Sequence, residues 1–393
     1  MKVAIITERA NISLGGAERS VSELAQALSA VGHNVTILAA KGNPNVANVH
    51  ILCQSTHKKR ADYTAFSQAI QEHLRTNHYD IIHSVLPFAC ADVYQPRGGT
   101  YAESIVRNAA SYENRLVQVW KRITATANFR RAKLLADERR LCQSQTGPTI
   151  AALSQYVAIQ LEKHYRTPGQ RVTVISNGVR TSRTVDANRA KRIRSQILTQ
   201  LHLREQVNPV LLIFAANNFR LKGLAPLIRA MSFAADHKQQ FSSYLVVVGR
   251  APARKYIRLA RKLRMAERIV FLGPVDNLQN VLFASDVAVL PTFYDPSSRF
   301  ILEALTLGKP VITTRYNGAR DLFENQKHGI VIGEPTDTSA LANAIAYFSQ
   351  SKNIAQASQA IIADNLIQNI SISRVATELT QLYESLPGLK GKQ

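Results

Sequence analysis

The sequence is poor in cysteine and in long apolar runs. Cys53, Cys90 and Cys142 lie far apart and form no Cys-x-x-Cys pair, which argues against a disulfide framework and against a zinc site. No apolar run approaches the ~20 residues that a membrane-spanning helix needs. The N-terminus has neither the long apolar segment nor the cleavage site of a signal peptide. We therefore expect a cytoplasmic protein in a reducing compartment.

Several motifs of nucleotide and metal chemistry are missing as well. No G-x-x-x-x-G-K-[ST] loop occurs, which argues against an NTPase, and no G-x-G-x-x-G fingerprint occurs, which disfavours an NAD-dependent oxidoreductase. Nor is there an Asp-x-Asp pair of the kind that usually holds Mg²⁺ on phosphates. We expect a site that uses no metal and no other cofactor.

What the sequence has in excess is positive charge. Its 49 Lys and Arg outnumber 27 Asp and Glu, which gives a formal net charge of +22 and a pI of about 10.2. A field of this sign attracts nucleic acid, anionic lipid headgroups or an anionic saccharide, and charge alone does not choose among them. A basic nucleic-acid-binding protein is one alternative, but the sequence contains no recognisable nucleic-acid-binding module.

The second half of the chain alternates short apolar runs with helical patterns. The runs, all rich in Val, Ile and Leu, are Val210–Ala216, Ser243–Gly249, Ile269–Gly273, Val287–Pro291, Val311–Thr314 and Ile330–Ile332. Uninterrupted apolar strands that alternate with helices are typical of a parallel sheet covered on both faces. The expected fold class is therefore α/β, with a doubly wound domain in this half.

The first half begins in the same way, and at 393 residues the chain exceeds one ordinary core. Its strand-like runs are Val3–Thr7, Val35–Ala39, Ile81–Val85, Ile150–Ala152 and Val172–Ile175. Between Tyr101 and Cys142 the sequence is long, basic and compatible with helices only. We place an N-terminal Rossmann-like domain at 1–180 and a C-terminal one at 181–371, with a final helix at about 372–393 that packs back on the first domain.

The segment 291–311 carries the strongest signal of a functional site. Asp295 lies in a loop after a strand, and Ser297 or Ser298 is placed to cap the helix that follows. The N-terminus of such a helix presents unpaired backbone N–H groups, which suit a phosphate. Glu303 falls in an apolar stretch of this helix, where a buried carboxylate needs a partner. Two vicinal ribose hydroxyls would be good donors to it; the alternative is a neighbouring Lys or Arg on a partly exposed helix.

Weaker signals come from loops of the first domain. The turn Leu14-Gly15-Gly16 separates the first strand from the first helix, where glycine lets a ligand approach the backbone and the helix N-terminus favours an anion. His83 and Arg97 flank later strands and are candidates to contact a second substrate. For His83 the alternative is an ordinary histidine of the core or of a loop.

The spacing within 291–311 resembles the signature of a known family. An acidic residue at Asp295, seven further residues, Glu303 followed by Ala, and a closing Gly-x-Pro-Val are similar to the motif of the retaining glycosyltransferase family 4, which has the GT-B fold. The resemblance implies two Rossmann-like domains facing across a cleft, with a nucleotide-sugar as donor. It places Asp295 beside the donor sugar and Glu303 on the ribose. Ser298, at the start of the helix that suits a phosphate, is expected among the donor-binding residues. Asp295 departs from the family pattern, in which this residue is usually Glu.

Two further segments match positions of the same family. Within Asn217–Gly223 the family has an Arg and a Lys-Gly whose cations bridge to the donor diphosphate, and these correspond to Arg220 and Lys222. Fixed cations lower the barrier because the diphosphate gains negative charge as it leaves. With Asp295 they form the expected catalytic set. Gly16 takes the position where donor phosphates and acceptor meet, and His83 and Arg97 are the candidates on the acceptor side.

Over most of its length the chain is similar to the bacterial lipopolysaccharide-core glucosyltransferases. The similarity includes Asp92-Val-Tyr94, Tyr101-Ala-Glu103, Gln160–Tyr165 and Asn218–Gly223. It implies transfer of a hexose, expected to be glucose, from a UDP-sugar to a membrane-associated saccharide such as lipopolysaccharide core or a cell-surface polysaccharide. A GDP-sugar donor with a soluble acceptor is the alternative.

The stretch between Arg97 and Arg140 is rich in Lys and Arg and poor in Asp and Glu, with Trp120 and Phe129 among the cations. This composition suits the surface of an anionic membrane; the alternative is a solvated helical face. We expect a cytoplasmic enzyme that is peripheral on the inner face of the cytoplasmic membrane, where it reaches a lipid-linked acceptor. No specific nucleic-acid partner is expected.

Overall fold

The structure, a computed structural model, describes residues 1–11, 15–43, 48–53, 61–181, 185–203, 209–237 and 242–387. The chain forms two compact units. Unit 1 comprises Met1–Ala109, Asn114–Arg180 and Ser371–Gln393, and unit 2 comprises Ala110–Glu113 and Thr181–Ile370. Each unit contains one parallel sheet, which confirms the predicted α/β class. Leu14 and the part of the predicted final helix beyond residue 387 lie outside the described residues.

Unit 1 contains a seven-stranded sheet in the order β3-β2-β1-β4-β5-β6-β7, with every neighbouring pair parallel. Its strands are β1 (Lys2–Arg9), β2 (Asn34–Lys41), β3 (Val49–Ile51), β4 (Ile81–Ser84), β5 (Val93–Tyr94), β6 (Thr149–Ala152) and β7 (Val172–Val174). Its helices are α1 (Gly16–Ala30), α2 (Tyr63–Thr76), α3 (Tyr101–Ala110), α4 (Arg115–Ile123), α5 (Phe129–Gln143) and α6 (Gln155–Tyr165), joined by the last helix of the chain, α15 (Ile372–Ser385).

The helix α15 belongs to the core of unit 1. Its apolar face, which includes Val375, Leu379 and Tyr383, packs in one buried cluster with Leu24 and Leu28 of α1. Burial of such side chains is the main stabilising contribution to a fold of this kind. The chain therefore returns to its first unit after completing the second.

A buried carboxylate fastens the helical segment between Tyr101 and Gln143 to the sheet of unit 1. Glu138 on α5 is completely buried and accepts hydrogen bonds from the Tyr94 hydroxyl at 2.7 Å, the Tyr101 backbone N–H at 2.7 Å and the Tyr165 hydroxyl. Burial raises the pKa of Glu138 to about 7, and these hydrogen bonds oppose the rise.

Unit 2 contains a six-stranded sheet in the order β10-β9-β8-β11-β12-β13, again with every pair parallel. Its strands are β8 (Val210–Ala215), β9 (Ser243–Val248), β10 (Ile269–Gly273), β11 (Val287–Leu290), β12 (Val311–Thr314) and β13 (Gly329–Ile332). Its helices are α7 (Ala187–Gln200), α8 (Leu224–His237), α9 (Arg254–Lys262), α10 (Leu278–Ala284), α11 (Arg299–Thr306), α12 (Thr338–Phe348), α13 (Ser351–Ala363) and α14 (Leu366–Ile370).

The strand order reverses once in each sheet, and this places the functional loops. In unit 1 the reversal lies between β1 and β4, and in unit 2 it lies between β8 and β11. Open α/β sheets bind ligands at such switch points, beyond the carboxyl ends of the strands. The loops that follow β8 and β11 are therefore the candidate ligand-binding loops of unit 2. Among the described residues no helix is both long and apolar enough to cross a membrane.

Candidate active site

The two loops at the switch point of unit 2 are tied to each other. The Leu221 carbonyl, in the loop after β8, accepts a hydrogen bond of 2.9 Å from the Phe293 N–H, in the loop after β11. Gly223 has φ +84, and a Cβ added there would lie 2.0 Å from the Pro291 carbonyl oxygen. Only glycine adopts this conformation easily and permits so close an approach. The contact fixes the spacing of the two loops.

Lys222 and Asp295 meet across these loops. The Lys222 Nζ donates to Asp295 Oδ2 at 2.7 Å and to the Tyr294 carbonyl at 2.8 Å. The two side chains are 21% and 15% exposed, so the pair is largely removed from water. An ammonium group has three donors, and these contacts use two of them. The structure thus brings together two members of the predicted catalytic set.

Arg220, the third member, lies on the loop with Lys222. Its Nη1 donates to the Ser111 hydroxyl, and its guanidinium carbon lies 3.8 Å from the centre of the Tyr112 ring. Both partners are counted in unit 2. The loop therefore carries two cations, Arg220 and Lys222, with one residue between them. Two cations so close together are a suitable arrangement for a diphosphate.

The start of α11 is organised by a residue that the sequence analysis did not identify, Asn317. Ser298 is the N-cap residue, yet within the described chain its side chain makes no cap hydrogen bond. Instead Asn317 Oδ1 accepts from the Ser298 N–H at 3.1 Å, while its Nδ2 donates to Thr313 Oγ1 at 2.9 Å. Asn317 also pairs with Asp295 in an isolated parallel bridge. Its side chain thereby sets the position of the first residues of α11.

The sequence does contain a signal for Asn317. It stands before a glycine, a few residues after the end of β12, and a polar side chain at the carboxyl end of a parallel strand is a candidate site residue. Its role becomes visible only when β11 and β12 are known to be neighbours.

Glu303 is both buried and paired with a cation, and the sequence had left these two environments open as alternatives. It lies on α11 and is only 7% exposed, so it is as buried as the apolar pattern of the helix predicts. It also has the cationic neighbour of the alternative, because Arg299 Nη2 lies 3.2 Å from its Oε1. The role of Glu303 as a ribose ligand stays a prediction.

Gly16 and Arg97 lie in unit 1. Gly16 is the first residue of α1 and is exposed, and Ser20 follows one turn later. Arg97, just beyond β5, donates to Ser20 Oγ and Gln95 Oε1, and to Asn177 Oδ1 at 3.0 Å. These three polar side chains are all buried, so they hold the guanidinium in a defined position beside α1. Its contact with an acceptor stays a prediction.

His83 is placed inside unit 1. It is completely buried, and its Nδ1 forms a hydrogen bond of 2.7 Å with the Tyr383 hydroxyl of α15. Burial lowers the pKa of His83 to about 3, and the charge of Arg97 lowers it further. The ring is therefore neutral at physiological pH. This position corresponds to the core histidine that the sequence analysis gave as the alternative, and an acceptor role for His83 stays a prediction.

Two glycosyltransferase family models match the chain, one in each half. The model described as Glycosyltransferase Family 4 matches residues 14–183, and that described as Glycosyl transferases group 1 matches residues 208–351. The lipopolysaccharide glucosyltransferase WaaG of Escherichia coli (strain K12) is 25% identical over 327 residues, which cover 82% of each chain.

Solved structures show the same fold. The crystal structure of WaaG, a glycosyltransferase involved in lipopolysaccharide biosynthesis, matches with a TM-score of 0.74 at 20% identity, covering 98% of this chain and 100% of that one. The structure of HepE from Anabaena in complex with UDP-glucose matches with a TM-score of 0.73 at 16% identity, with coverage of 98% and 100%.

Fold, site and relatives define the class of protein: this chain is a glycosyltransferase with the GT-B fold. The first match lies mainly in unit 1 and the second lies in unit 2. Arg220, Lys222, Asp295, Ser298, Glu303 and Asn317 all lie within the second match. The chain is a hexosyltransferase that carries a Glycosyltransferase Family 4 match and a Glycosyl transferases group 1 match, and it resembles the lipopolysaccharide-core glucosyltransferases.

Proposed function

We propose that the enzyme transfers glucose from UDP-glucose to a membrane-associated saccharide, such as lipopolysaccharide core or a cell-surface polysaccharide, with retention of the anomeric configuration. The observation that carries this proposal is the Lys222–Asp295 pair at the switch point of unit 2. It combines a cation for the diphosphate with a carboxylate for the sugar. The choice of UDP-glucose is supported by HepE, which was solved with that molecule, and by the glucosyltransferase WaaG.

Each residue of the site has a task in this proposal. Lys222 and Arg220 stabilise the diphosphate as it gains charge on departure, which removes the need for a metal ion. The backbone N–H groups at the start of α11, after Ser298, receive phosphate oxygens. Asp295 orients the sugar and Glu303 accepts hydrogen bonds from the ribose hydroxyls. The acceptor hydroxyl attacks from the face on which the diphosphate leaves, and this front-face attack retains the configuration. Gly16 in unit 1 is assigned to the donor phosphates, and His83 and Arg97 to the acceptor side.

A donor screen tests the proposal. Hydrolysis of UDP-, GDP- and ADP-sugars is measured with and without EDTA, and the anomer released is read by NMR. We expect turnover of UDP-glucose that EDTA leaves unchanged, with the α anomer formed from the α-linked donor. Turnover of a GDP-sugar alone would replace the donor assignment. Loss of activity in EDTA, restored by Mg²⁺, would overturn the metal-independent mechanism.

We further propose that α4 holds the enzyme on an anionic membrane. The helix has no buried residue, and its apolar side chains Leu116 and Ile123 are 79% and 71% exposed. Phe129, at the start of α5, is 80% exposed. Arg115 and Arg122 lie exposed on the same helix, so apolar side chains and cations occur together. Large exposed apolar side chains with neighbouring cations are typical of helices that lie in the membrane interface.

In this proposal the net charge of +22 serves the membrane surface, and nucleic acid is not a specific partner. Flotation with vesicles of neutral or anionic lipid tests the assignment of α4. We expect binding to anionic vesicles that Ile123→Glu weakens at least tenfold, the effect of losing about two buried methylene groups at ~0.8 kcal/mol each. The matched control is Ile362→Glu, because Ile362 on α13 is also strongly exposed, at 68%. Equal binding to neutral vesicles, or equal loss in both variants, would contradict the proposal.

A further inference from the structure

A short segment from the first half of the chain is counted in unit 2. Residues Ala110–Glu113 belong to unit 2, whereas Met1–Ala109 before them and Asn114–Arg180 after them belong to unit 1. Within unit 2, its side chains contact the loop that carries Arg220 and Lys222.

Two of these side chains hold Arg220 in different ways. The Tyr112 ring lies under the guanidinium, with 3.8 Å between the Arg220 Cζ and the ring centre. This distance is well inside the ~6 Å within which a cation is attracted to the face of an aromatic ring. Ser111, which is 6% exposed, accepts a hydrogen bond from Arg220 Nη1. Stacking fixes the plane of the guanidinium, and the hydrogen bond fixes its rotation within that plane.

The segment itself is anchored to unit 2 beside these contacts. Glu113 Oε1 lies 3.0 Å from Arg229 Nη2 of α8. Burial raises the pKa of Tyr256 on α9 to about 12; the charge of Arg220 lowers it and that of Glu113 raises it. Tyr256 therefore lies close enough to Arg220 and to Glu113 for both charges to affect its pKa.

We infer that Tyr112 and Ser111 are positioning residues that hold the Arg220 guanidinium in the plane in which it meets the departing diphosphate. An arginine side chain is long and loses much rotamer freedom when it is fixed. Stacking uses the face of the guanidinium, while its N–H donors point outward in the plane, the geometry that binds phosphate oxygens in pairs. A cation held in place before reaction contributes more to the transition state than one that has to be ordered.

The inference rests on the proposed function, and a double-mutant cycle separates it from a purely structural role. If Tyr112 acts through Arg220, then Tyr112→Leu lowers kcat in the wild-type background and has no further effect in the Arg220→Ala background. If Tyr112 only supports the fold, the two losses add. Tyr112→Phe keeps the ring and is expected to restore turnover.

The experiment measures kcat and KM for hydrolysis of UDP-glucose, with thermal melting of every variant. We expect Tyr112→Leu to lower kcat about thirtyfold, the size of a desolvated cation–π contact, and Ser111→Ala to lower it by a smaller factor. Tyr347→Leu is the matched control, because Tyr347 is a partly exposed tyrosine of α12 in the same unit. If Tyr112→Leu fails to fold, Ser111→Ala with Arg220→Ala completes the same cycle.

The outcomes distinguish this inference from the proposed function. A wild-type enzyme that turns over no nucleotide-sugar overturns the proposed function itself. An active wild-type enzyme in which Tyr112→Leu and Ser111→Ala match the Tyr347→Leu control overturns the positioning role alone. Additive losses in the Arg220→Ala background overturn it as well. Loss of kcat that disappears in that background, with recovery in Tyr112→Phe, supports it.

Discussion

Replacing Gly223 by alanine should disable the donor site through backbone geometry alone. At φ +84 an alanine pays the left-handed penalty of about 1–2 kcal/mol, which corresponds to a fall in melting temperature of roughly 2–8 °C for a unit of this size. The new Cβ would also lie 2.0 Å from the Pro291 carbonyl oxygen, where real contacts essentially never fall below 3.0 Å. The two loops therefore have to separate by about 1 Å, and a misplacement of that size costs about 10²-fold in rate.

The assay is hydrolysis of the sugar donor together with thermal melting. Gly333→Ala is the matched control, because a Cβ at Gly333 would have no heavy atom within 4 Å and Gly333 also belongs to unit 2. We expect the control to keep wild-type turnover and stability. A Gly223→Ala enzyme with the turnover and melting temperature of Gly333→Ala would refute the reasoning that the Gly223–Pro291 contact sets the spacing of Lys222 and Asp295.

Two further predictions concern buried carboxylates, one in each unit. Glu303→Gln should weaken UDP binding about tenfold, the cost of one charge-assisted hydrogen bond of ~1.5 kcal/mol. In calorimetry with 2′,3′-dideoxy-UDP, which lacks the ribose hydroxyls, the wild type and the variant should bind equally. A difference that persists with this ligand would exclude the ribose assignment. For Glu138, the folded pKa of about 7 lies above the ordinary value of 4.5, so its contribution to stability is complete below pH 4.5 and is lost as the pH rises through 7. Urea unfolding should therefore show wild-type stability falling from pH 4.5 to 8 relative to Glu138→Gln, and parallel pH profiles would contradict the assignment.

The sequence predicts the fold well wherever a strand is a continuous apolar run. All six strands of unit 2 lie at the predicted runs, and so do β1, β2, β4, β6 and β7 of unit 1. The strands β3 and β5 were not predicted. They have only three and two residues, and so short a strand leaves no periodic signal and is defined by its neighbours in the sheet.

The sequence predicts the residues that carry the chemistry of the site, but not the residues that position them. Lys222 and Asp295 could be expected to share a site, since each follows a strand, and the structure shows them paired. Asn317 also follows a strand, but its contact with Ser298 could not be predicted from that position, and Tyr112 follows no strand. Both residues make side-chain contacts with segments that are distant in sequence; Asn317 and Ser298, for example, are 19 residues apart. Such contacts depend on strand order and on packing. For Glu303 the sequence left two environments open, a buried position and an ion pair with a neighbouring cation. The structure contains both, because Glu303 is buried and is paired with Arg299.

The most direct test of the account is calorimetric titration of UDP into the wild type, Lys222→Met and Lys327→Met. Lys327 is the matched control, because it is also an ion-paired lysine of unit 2, bonded to Asp364 at 2.7 Å and remote in sequence from the donor loops. We predict that the wild type and Lys327→Met bind UDP equally and that Lys222→Met binds at least tenfold more weakly, since it loses a charge-assisted phosphate contact of about 1.5–3 kcal/mol. Failure of the wild type to bind UDP, or equal affinity of Lys222→Met and Lys327→Met, would contradict the claim that the loops after β8 and β11 form the nucleotide-sugar site.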